Sequence, residues 1–370
     1  MLFSSVINKH LVIITSLLLL INSTPAIYAH NSEYGANPAK THYYGNTNVL
    51  PKGKLKWVFD VGAEINSSPV VAEGKVIFGS DNGKIYALES ISGKEVWSVS
   101  AESIVDSSPA VSDGIVYIGS RDFKLYALNL KDGKIKWTYK ANDRISSSPV
   151  IYENNVYFAS WDNNIYAVNK FNGTLVWKYA AKARVMSSPA FCNSTIYVGS
   201  HDNNLYAINA DNGKLKWRFV SNNFIMSTPA VSGNKVYFGS WDKKIYALNA
   251  SNGTKRWSCA TKETIGRSIA VKGNLVYSVS DDKNIYCVNA NSGHIVWRKN
   301  LGGLVAGSSP IIANDTIFIG SADGNIYSLN SLNGSTKWHY KTNGPIMSTP
   351  TISNGILFIG SQDGKLYAIE

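Results

Sequence analysis

The chain has only three cysteines in 370 residues, Cys192, Cys259 and Cys287. An odd number of widely spaced cysteines does not form a complete disulfide framework, and no two of these cysteines are adjacent in the sequence. We therefore predict that the three thiols are small buried side chains.

After residue 30, no stretch of the chain has a sustained run of apolar residues spaced three and four apart, as an amphipathic helix requires. This absence argues against a helical solenoid. The formal net charge is +11, but the basic residues are spread through the turns and form no arginine-rich tract or basic helix. The charge pattern therefore predicts no nucleic-acid surface and only weak attraction to anionic polymers or envelope surfaces.

Tryptophan recurs at a nearly constant interval, and this period is the strongest signal in the sequence. Eight tryptophans fall in phase along the chain: Trp57, Trp97, Trp137, Trp177, Trp217, Trp257, Trp297 and Trp338. A repeat of about 40 residues is typical of propellers and solenoids, in which one supersecondary unit is copied.

Each repeat contains four short segments rich in Val, Ile, Tyr and Phe. In one copy they are residues 107–111, 115–120, 124–129 and 134–137, and turn pairs such as Asn212-Gly213 separate such segments. Short apolar runs bounded by these turns predict β-strands. The repeat therefore predicts a blade of four antiparallel strands, buried on both faces by its neighbours.

The two ends of the repeat array predict how it closes. Eight openings of the Ser-Ser-Pro type are present, but the last repeat stops at Glu370 without its tryptophan. Residues 55–59 supply a tryptophan strand that no earlier repeat precedes. We predict an all-β, eight-bladed β-propeller in which this N-terminal strand completes the last blade and leaves no large exposed sheet edge. Such a closed ring is expected to be a monomer.

One segment of the repeat resembles a known family. Residues 127–137 (ALNLKDGKIKW) and residues 119–126 (GSRDFKLY) are similar to the tryptophan-docking motif of the pyrroloquinoline quinone (PQQ)-type propeller repeat. The resemblance covers roughly residues 55–370 and implies that each tryptophan packs on the glycine turn of an adjacent blade. Asn replaces the usual Asp of the motif in most copies, which preserves the turn chemistry.

The chain before the first repeat has a different composition. Residues 1–29 hold one lysine, an aliphatic run and small residues before Ala29, which predicts a secretory signal. An uncleaved N-terminal anchor remains the alternative. Residues 30–54 are predicted to be an irregular lead-in over the ring, and residues 55–370 the propeller. The protein is thus expected to be secreted or held at the cell surface.

Two sequence columns do not repeat, and both are expected at one mouth of the ring. The first column runs Asp81, Arg121, Trp161, His201, Trp241, Asp281, Ala322, Gln362. The second column runs Asn66, Asp106, Ser146, Met186, Met226, Gly266, Gly307, Met347. Arg121, Trp161, His201, Trp241, Asp106, Met186 and Met226 are the candidate ligand residues, since they offer aromatic faces, charges and apolar contacts. Unconstrained drift of loop residues would give the same pattern.

The sixth blade is irregular in its opening. Arg267 and Ile269 replace Ser and Pro, and Val279 replaces a glycine found in most copies. A buried arginine is costly unless a carboxylate or an anionic ligand meets it. We therefore expect Arg267 to project into the central funnel.

The family resemblance also raises an enzymatic alternative. PQQ dehydrogenases of this fold have a bound calcium and a catalytic Asp at the ring centre, and many have adjacent cysteines. Here no residue specifically supports PQQ or calcium, and the repeated Asp after each second strand is predicted to stabilise a turn. We expect a non-catalytic binding or scaffold module that takes a protein, peptide or glycan at one mouth. The alternatives are a PQQ- and calcium-dependent dehydrogenase of alcohols or sugars, and a sensor module.

Overall fold

The computed structural model describes residues 32–303 and 307–370. The signal predicted for residues 1–29 lies outside the described residues. In the described part every regular element is a strand, and none of it forms a helix long and apolar enough to cross a membrane.

Eight four-stranded antiparallel blades follow one another around a ring. Blades 1 to 4 comprise Val70–Ala72, Lys75–Gly79, Lys84–Glu89, Glu95–Ser100; Ala110–Ser112, Ile115–Gly119, Lys124–Asn129, Ile135–Lys140; Val150–Tyr152, Asn155–Ala159, Asn164–Asn169, Leu175–Ala180; and Ala190–Cys192, Thr195–Gly199, Asn204–Asn209, Leu215–Val220. Blades 5 to 8 comprise Ala230–Ser232, Lys235–Ser240, Lys244–Asn249, Lys255–Ala260; Ala270–Lys272, Leu275–Val279, Asn284–Asn289, Ile295–Asn300; Ile311–Ala313, Thr316–Gly320, Asn325–Asn330, Thr336–Lys341; and Thr351–Ser353, Ile356–Gly360, Lys365–Ile369, Leu55–Asp60. The predicted eight-bladed fold is confirmed.

The N-terminal strand closes the ring as predicted. Leu55–Asp60 pairs antiparallel with Lys365–Ile369, so blade 8 is built from both ends of the array. A second link joins blade 8 to blade 1 nearer the axis, where the Thr349 backbone N–H donates to Ser68 Oγ at 2.9 Å. Closure therefore gives blade 8 the same four strands as the other blades and leaves only the short outer strand of each blade as a sheet edge.

The core lies between the blades in separate layers. Middle strands such as Ile115–Gly119 are buried along their whole length, because a neighbouring blade covers each face. Outer strands such as Leu215–Val220 alternate between exposed and partly buried residues. One layer, for example, packs Phe78 and Leu88 of blade 1 against Phe358 and Leu366 of blade 8.

Each tryptophan docks on the glycine turn of the next blade, as the family resemblance implied. Trp177 donates its indole N–H to Ala210 O at 2.7 Å, and a Cβ on Gly213 would lie 2.8 Å from the Trp177 ring. Gly213 has a φ of +69°, so both conformation and space require glycine there. A bulge at Lys216 in the outer strand lies beside Trp217 and repeats next to the tryptophan of every blade.

The predicted thiols are free within the described residues. Cys259 and Cys287 are buried, as expected, and Cys192 is partly buried. Burial raises the pKa of each of the three thiols, which keeps them protonated and unreactive at neutral pH.

The lead-in lies inside the ring. Ser32–Glu33 pairs with Val111 and Ala110 as a fifth strand of blade 2. Beyond it the lead-in exchanges backbone hydrogen bonds with the inner strands of four further blades: Phe191 N to Pro38 O, Val231 N to Ala39 O, Val271 N to Thr41 O and Ile312 N to His42 O. A segment bonded to the inner strands of five blades occupies the central channel.

Candidate functional site at one mouth of the propeller

A cavity of about 390 Å³ opens on the propeller axis. All eight residues of the second non-repeating column line it: Asn66, Asp106, Ser146, Met186, Met226, Gly266, Gly307 and Met347. Each residue precedes a Ser-Ser-Pro-type opening, so the chain enters the inner strand directly beneath it. The repeat therefore brings eight residues to one place, six of them with side chains and two of them glycines.

A ring of hydroxyl groups surrounds the cavity below these residues. It is formed by the second residue of each opening: Ser68, Ser108, Ser148, Ser188, Thr228, Ser268, Ser309 and Thr349. Ser68 N donates to Ser108 Oγ at 2.9 Å, and Ser108 N donates to Ser148 Oγ at 3.1 Å. The hydroxyls thus join one blade to the next and also face a ligand-sized space.

The lead-in supplies the floor of this cavity through Tyr34. Its hydroxyl lies 2.7 Å from Ser268 Oγ and 3.3 Å from Ser309 Oγ. Lys40 is fully buried behind it and donates to Tyr34 O at 2.7 Å. The opposite end of the channel is therefore closed, and the mouth is the route by which a ligand reaches the cavity.

Arg267 lines the cavity, and we find no hydrogen bond or ion pair to it among the described residues. Burial lowers the pKa of this guanidinium, whereas the nearby Asp281 and Tyr34 oppose that shift. In other blades the equivalent serine has two bonding roles. Ser107, for example, accepts from Gly119 N at 3.2 Å and donates to Ser147 O at 2.9 Å.

The first column forms the rim, and on blades 1, 2 and 8 the rim is acidic and amide-rich. Arg121 binds Asp106 through two nitrogens, at 2.8 and 2.9 Å. Asn66 donates to Asp81 at 3.0 Å, and Gln362 donates to Asn66 at 3.1 Å. Burial is the main reason that the pKa of Asp81 is raised. Most of the hydrogen-bonding groups of these residues are therefore paired with one another.

On blades 3 to 5 the rim carries a different group of residues. We call it the aromatic–arginine arc: Arg144, Trp161, Arg184, His201, Phe224 and Trp241. The guanidinium carbons of Arg144 and Arg184 lie 5.0 and 5.2 Å from the centre of the Trp161 ring, within cation–π range.

The same arc continues as stacked rings. His201 stacks on Phe224 at 4.7 Å, and Phe224 lies 5.8 Å from Trp241. Burial, followed by the charge of Arg184, lowers the pKa of His201, which favours the neutral imidazole. Trp241 Nε1 reaches the cavity edge, since a Cβ added to Gly266 would lie 3.3 Å from it.

Sequence reasoning missed Arg144, Arg184 and Phe224. They belong to a third non-repeating column, which precedes the first in the chain and whose backbone carbonyls accept from first-column amides. Trp161 N donates to Arg144 O at 3.0 Å, and Trp241 N donates to Phe224 O at 2.9 Å. Comparing all positions of the repeat, rather than the two columns beside the repeated motifs, would have revealed this column.

The repeated Asp residues stabilise turns. Asp202 accepts from Asn204 N at 3.0 Å, Tyr206 Oη at 2.6 Å and Lys182 N at 2.8 Å. Burial opposes ionisation of Asp202, but the hydrogen bonds from Tyr206 and Asn204 outweigh it and lower its pKa. Equivalent bonds recur at Asp122, Asp162 and Asp282.

Comparison with protein families agrees with this architecture. A family model described as outer membrane protein assembly factor BamB matches residues 49–185. Another, described as the β-propeller of beta-alanine-activating enzyme, matches residues 193–370. The chain belongs to the PQQ-like β-propeller repeat family. A search of curated proteins finds no significant sequence match to this PQQ-like propeller.

Solved structures share the fold at low identity. BamB from Moraxella catarrhalis is 19% identical with a TM-score of 0.75, over 85% of this chain and 98% of BamB. The computationally designed Ika8 protein is 17% identical with a TM-score of 0.76, over 86% and 99%. Quinohemoprotein alcohol dehydrogenase from Comamonas testosteroni is 14% identical with a TM-score of 0.77, over 91% and 79%. These neighbours include both enzymes and other proteins. The likeness of this PQQ-like propeller to them therefore establishes its fold alone.

The cavity of this PQQ-like propeller does not fit a calcium site. Calcium requires six to eight oxygen ligands, several of them carboxylates. Asp106 is the single carboxylate among the described residues that line the cavity, and it is already paired with Arg121. No group of three or more His, Cys, Asp or Glu residues in the described ranges is arranged to hold a metal ion.

Proposed function

We propose that the chain is an exported, non-catalytic binding or scaffold module that acts as a monomer at the cell surface or envelope. Its partner is a protein or peptide segment that docks at the mouth, across the aromatic–arginine arc. The arc carries this proposal, because it concentrates non-repeating arginine and aromatic residues on three consecutive blades of an otherwise regular ring.

The composition of the arc matches the centre of a protein interface. Tryptophan and arginine are enriched among the residues that dominate binding energy, and both bury large areas at modest entropic cost. Arg144, Arg184 and Trp241 are exposed to solvent, while Trp161 and His201 are partly buried beneath them. A partner that covers the arc would exclude water from the cation–π contacts and strengthen them.

Two polar atoms in the arc add support. Trp161 Nε1 and His201 Nε2 are shielded from solvent and have no hydrogen-bond partner among the described residues. Buried polar groups in proteins are almost always satisfied, and exceptions concentrate where function places a demand on the site. A local rearrangement on binding would give these two atoms partners.

The proposal predicts where a partner is crosslinked. We expect a photoreactive amino acid at Trp241 to form discrete adducts in the exported fraction of the host. The same amino acid at Phe171 is the matched control, since Phe171 is an exposed aromatic in a turn at the opposite face, and it is expected to form none. Adducts at Phe171 and none at Trp241 would place the partner elsewhere. Saturable binding of PQQ with calcium in a calorimetric titration would instead favour the dehydrogenase alternative.

Export is a separate part of the proposal and has its own measurement. Residues 1–29 have the pattern of a cleaved signal, and BamB is an outer membrane protein assembly factor. Mass spectrometry of the protein from its host is expected to find the mature N-terminus at about residue 30. An intact Met1 in a soluble intracellular fraction would contradict export.

A further inference from the structure

Arg267 replaces a serine that forms hydrogen bonds in the other blades. The equivalent position is serine in every other repeat: Ser67, Ser107, Ser147, Ser187, Ser227, Ser308 and Ser348. These serines bond within and between blades; Ser348 Oγ, for example, accepts from Gly360 N at 2.8 Å and donates to Gly360 O at 2.9 Å, at the end of the second strand of its own blade. An arginine side chain has no acceptor atom and cannot replace the hydroxyl in both roles.

The guanidinium at Arg267 also lacks compensation in the free protein. Asp281 is close enough to favour its charge but forms no ion pair with it, and the Asp281 carboxylate instead accepts from the Thr264 hydroxyl. The Arg267 side chain is partly buried at the cavity wall, and a cation shielded from water without a partner is unfavourable. An anion in the cavity would supply that partner.

The hydroxyl ring adds donors on the other side of the cavity. Six hydroxyl oxygens accept a backbone N–H from a preceding blade at 2.8–3.1 Å: Ser309, Thr349, Ser68, Ser108, Ser148 and Ser188. Ser309 Oγ also lies 3.3 Å from the Tyr34 hydroxyl, and for the other five we find no acceptor for the hydroxyl proton among the described residues. A hydroxyl that already accepts an N–H is free to donate, so these groups present hydrogen-bond donors to the cavity.

We propose that the central cavity is a binding site for one carboxylate, held by Arg267 and the hydroxyl ring, with Met186, Met226 and Met347 packed against the apolar body that carries it. The carboxylate is either the C-terminus of a protein partner or a free small acid. Only the first source rests on the function proposed above. A volume of about 390 Å³ lies within the usual range for small ligands.

The surrounding charges favour a monovalent anion. Arg267 supplies one positive charge, and Asp106 is paired with Arg121. Asp281 and Asp81 lie around the same mouth and would repel a second negative charge, which argues against phosphate. The methionine side chains adapt to irregular apolar shapes and impose little further selection.

The test is a calorimetric titration of the full mature chain with N-acetylmethionine and with its carboxamide. We expect saturable binding of the acid and none of the amide. Arg267→Ser restores the repeat residue and is expected to weaken acid binding by about tenfold or more, since a charge-assisted bond is lost. The same substitution is expected to raise the melting temperature. Arg298→Ser removes the same charge from the exposed outer strand of blade 6 and is the matched control, expected to bind normally.

Two further arms identify the source of the carboxylate. If an acetylated tripeptide ending in methionine binds more tightly than N-acetylmethionine, the ligand is a chain terminus; if it binds no better, the ligand is a free acid. Three results would each overturn the proposal. They are equal binding of acid and amide, unchanged affinity for the acid in both Arg267→Ser and Arg267→Met, and tighter binding of inorganic phosphate than of the acid. If crosslinking from Trp241 persists in Arg267→Ser, the protein partner binds the aromatic–arginine arc without a carboxylate contact to Arg267.

Discussion

Replacing Trp177 with alanine is expected to lower the free energy of unfolding by about 3–5 kcal/mol, because it removes a large buried ring from a closely packed site. Trp177 is 8% exposed and packs in the layer between blades 3 and 4. Its indole N–H is bonded to Ala210 O, and its ring covers Gly213 so closely that no side chain fits there. Truncation therefore leaves a cavity and removes the shorter of two hydrogen bonds to Ala210 O, which keeps only the 3.4 Å bond from the Tyr157 hydroxyl.

A matched tryptophan in the same protein separates docking from bulk. Trp241 is 36% exposed and contacts Phe224 at the rim, so Trp241→Ala is expected to cost less than about 1 kcal/mol. Urea unfolding followed by circular dichroism measures both variants. Similar shifts in the two midpoints would show that the docked tryptophans do not hold neighbouring blades together.

The docking contacts explain why the fold was predictable from the sequence. The constant period requires each Trp to meet the glycine turn of the following repeat, and Trp97 with Gly133 and Trp297 with Gly334 do so. The last contact was not predicted. The repeat that follows Trp338 has no glycine turn after its third strand, and Trp338 instead docks on Gly53 and donates to Pro51 O at 3.0 Å. The end of the lead-in, just before the strand Leu55–Asp60, thus also contributes to closure of the ring.

The site was predictable only in part. Because loops at one mouth come from fixed positions of the repeat, the sequence placed Asp106, Met186 and Met226 around one cavity, and the structure brings them together there. It did not place Tyr34, since the lead-in carries no period that relates it to a blade. The course of the lead-in depends on backbone hydrogen bonds to inner strands, which any non-proline residue can make.

His42 makes the lead-in sensitive to acid. It is fully buried within the channel, its ring lies 5.1 Å from that of Tyr34, and both ring nitrogens lack a hydrogen-bond partner among the described residues. Burial, followed by the charge of Lys40, lowers its pKa to about 3. The native protein therefore holds this histidine neutral, whereas the unfolded chain protonates it near pH 6.5.

The sign of the effect follows from these two pKa values. Between about pH 6.5 and pH 3 the unfolded state binds one more proton than the native state, so stability falls as the pH falls through that window. Above about pH 6.5 the contribution no longer changes with pH. At about pH 4.5 the loss amounts to about 2–3 kcal/mol.

Comparison with His42→Phe isolates this loss from that of the carboxylates. Hydrogen bonds also lower the pKa values of Asp202, Asp282 and Asp323, so acid destabilises the wild-type protein at those groups as well. Phenylalanine keeps the ring contact with Tyr34 but does not titrate, and the carboxylates are common to both proteins. We expect the stability difference between the two proteins to shift in favour of the variant below about pH 6.5, and a constant difference down to about pH 4.5 would show that His42 is not held neutral in the channel. Because His42 O also accepts from Ile312 N, the amide of Ile312 is expected to lose hydrogen-exchange protection over the same pH range.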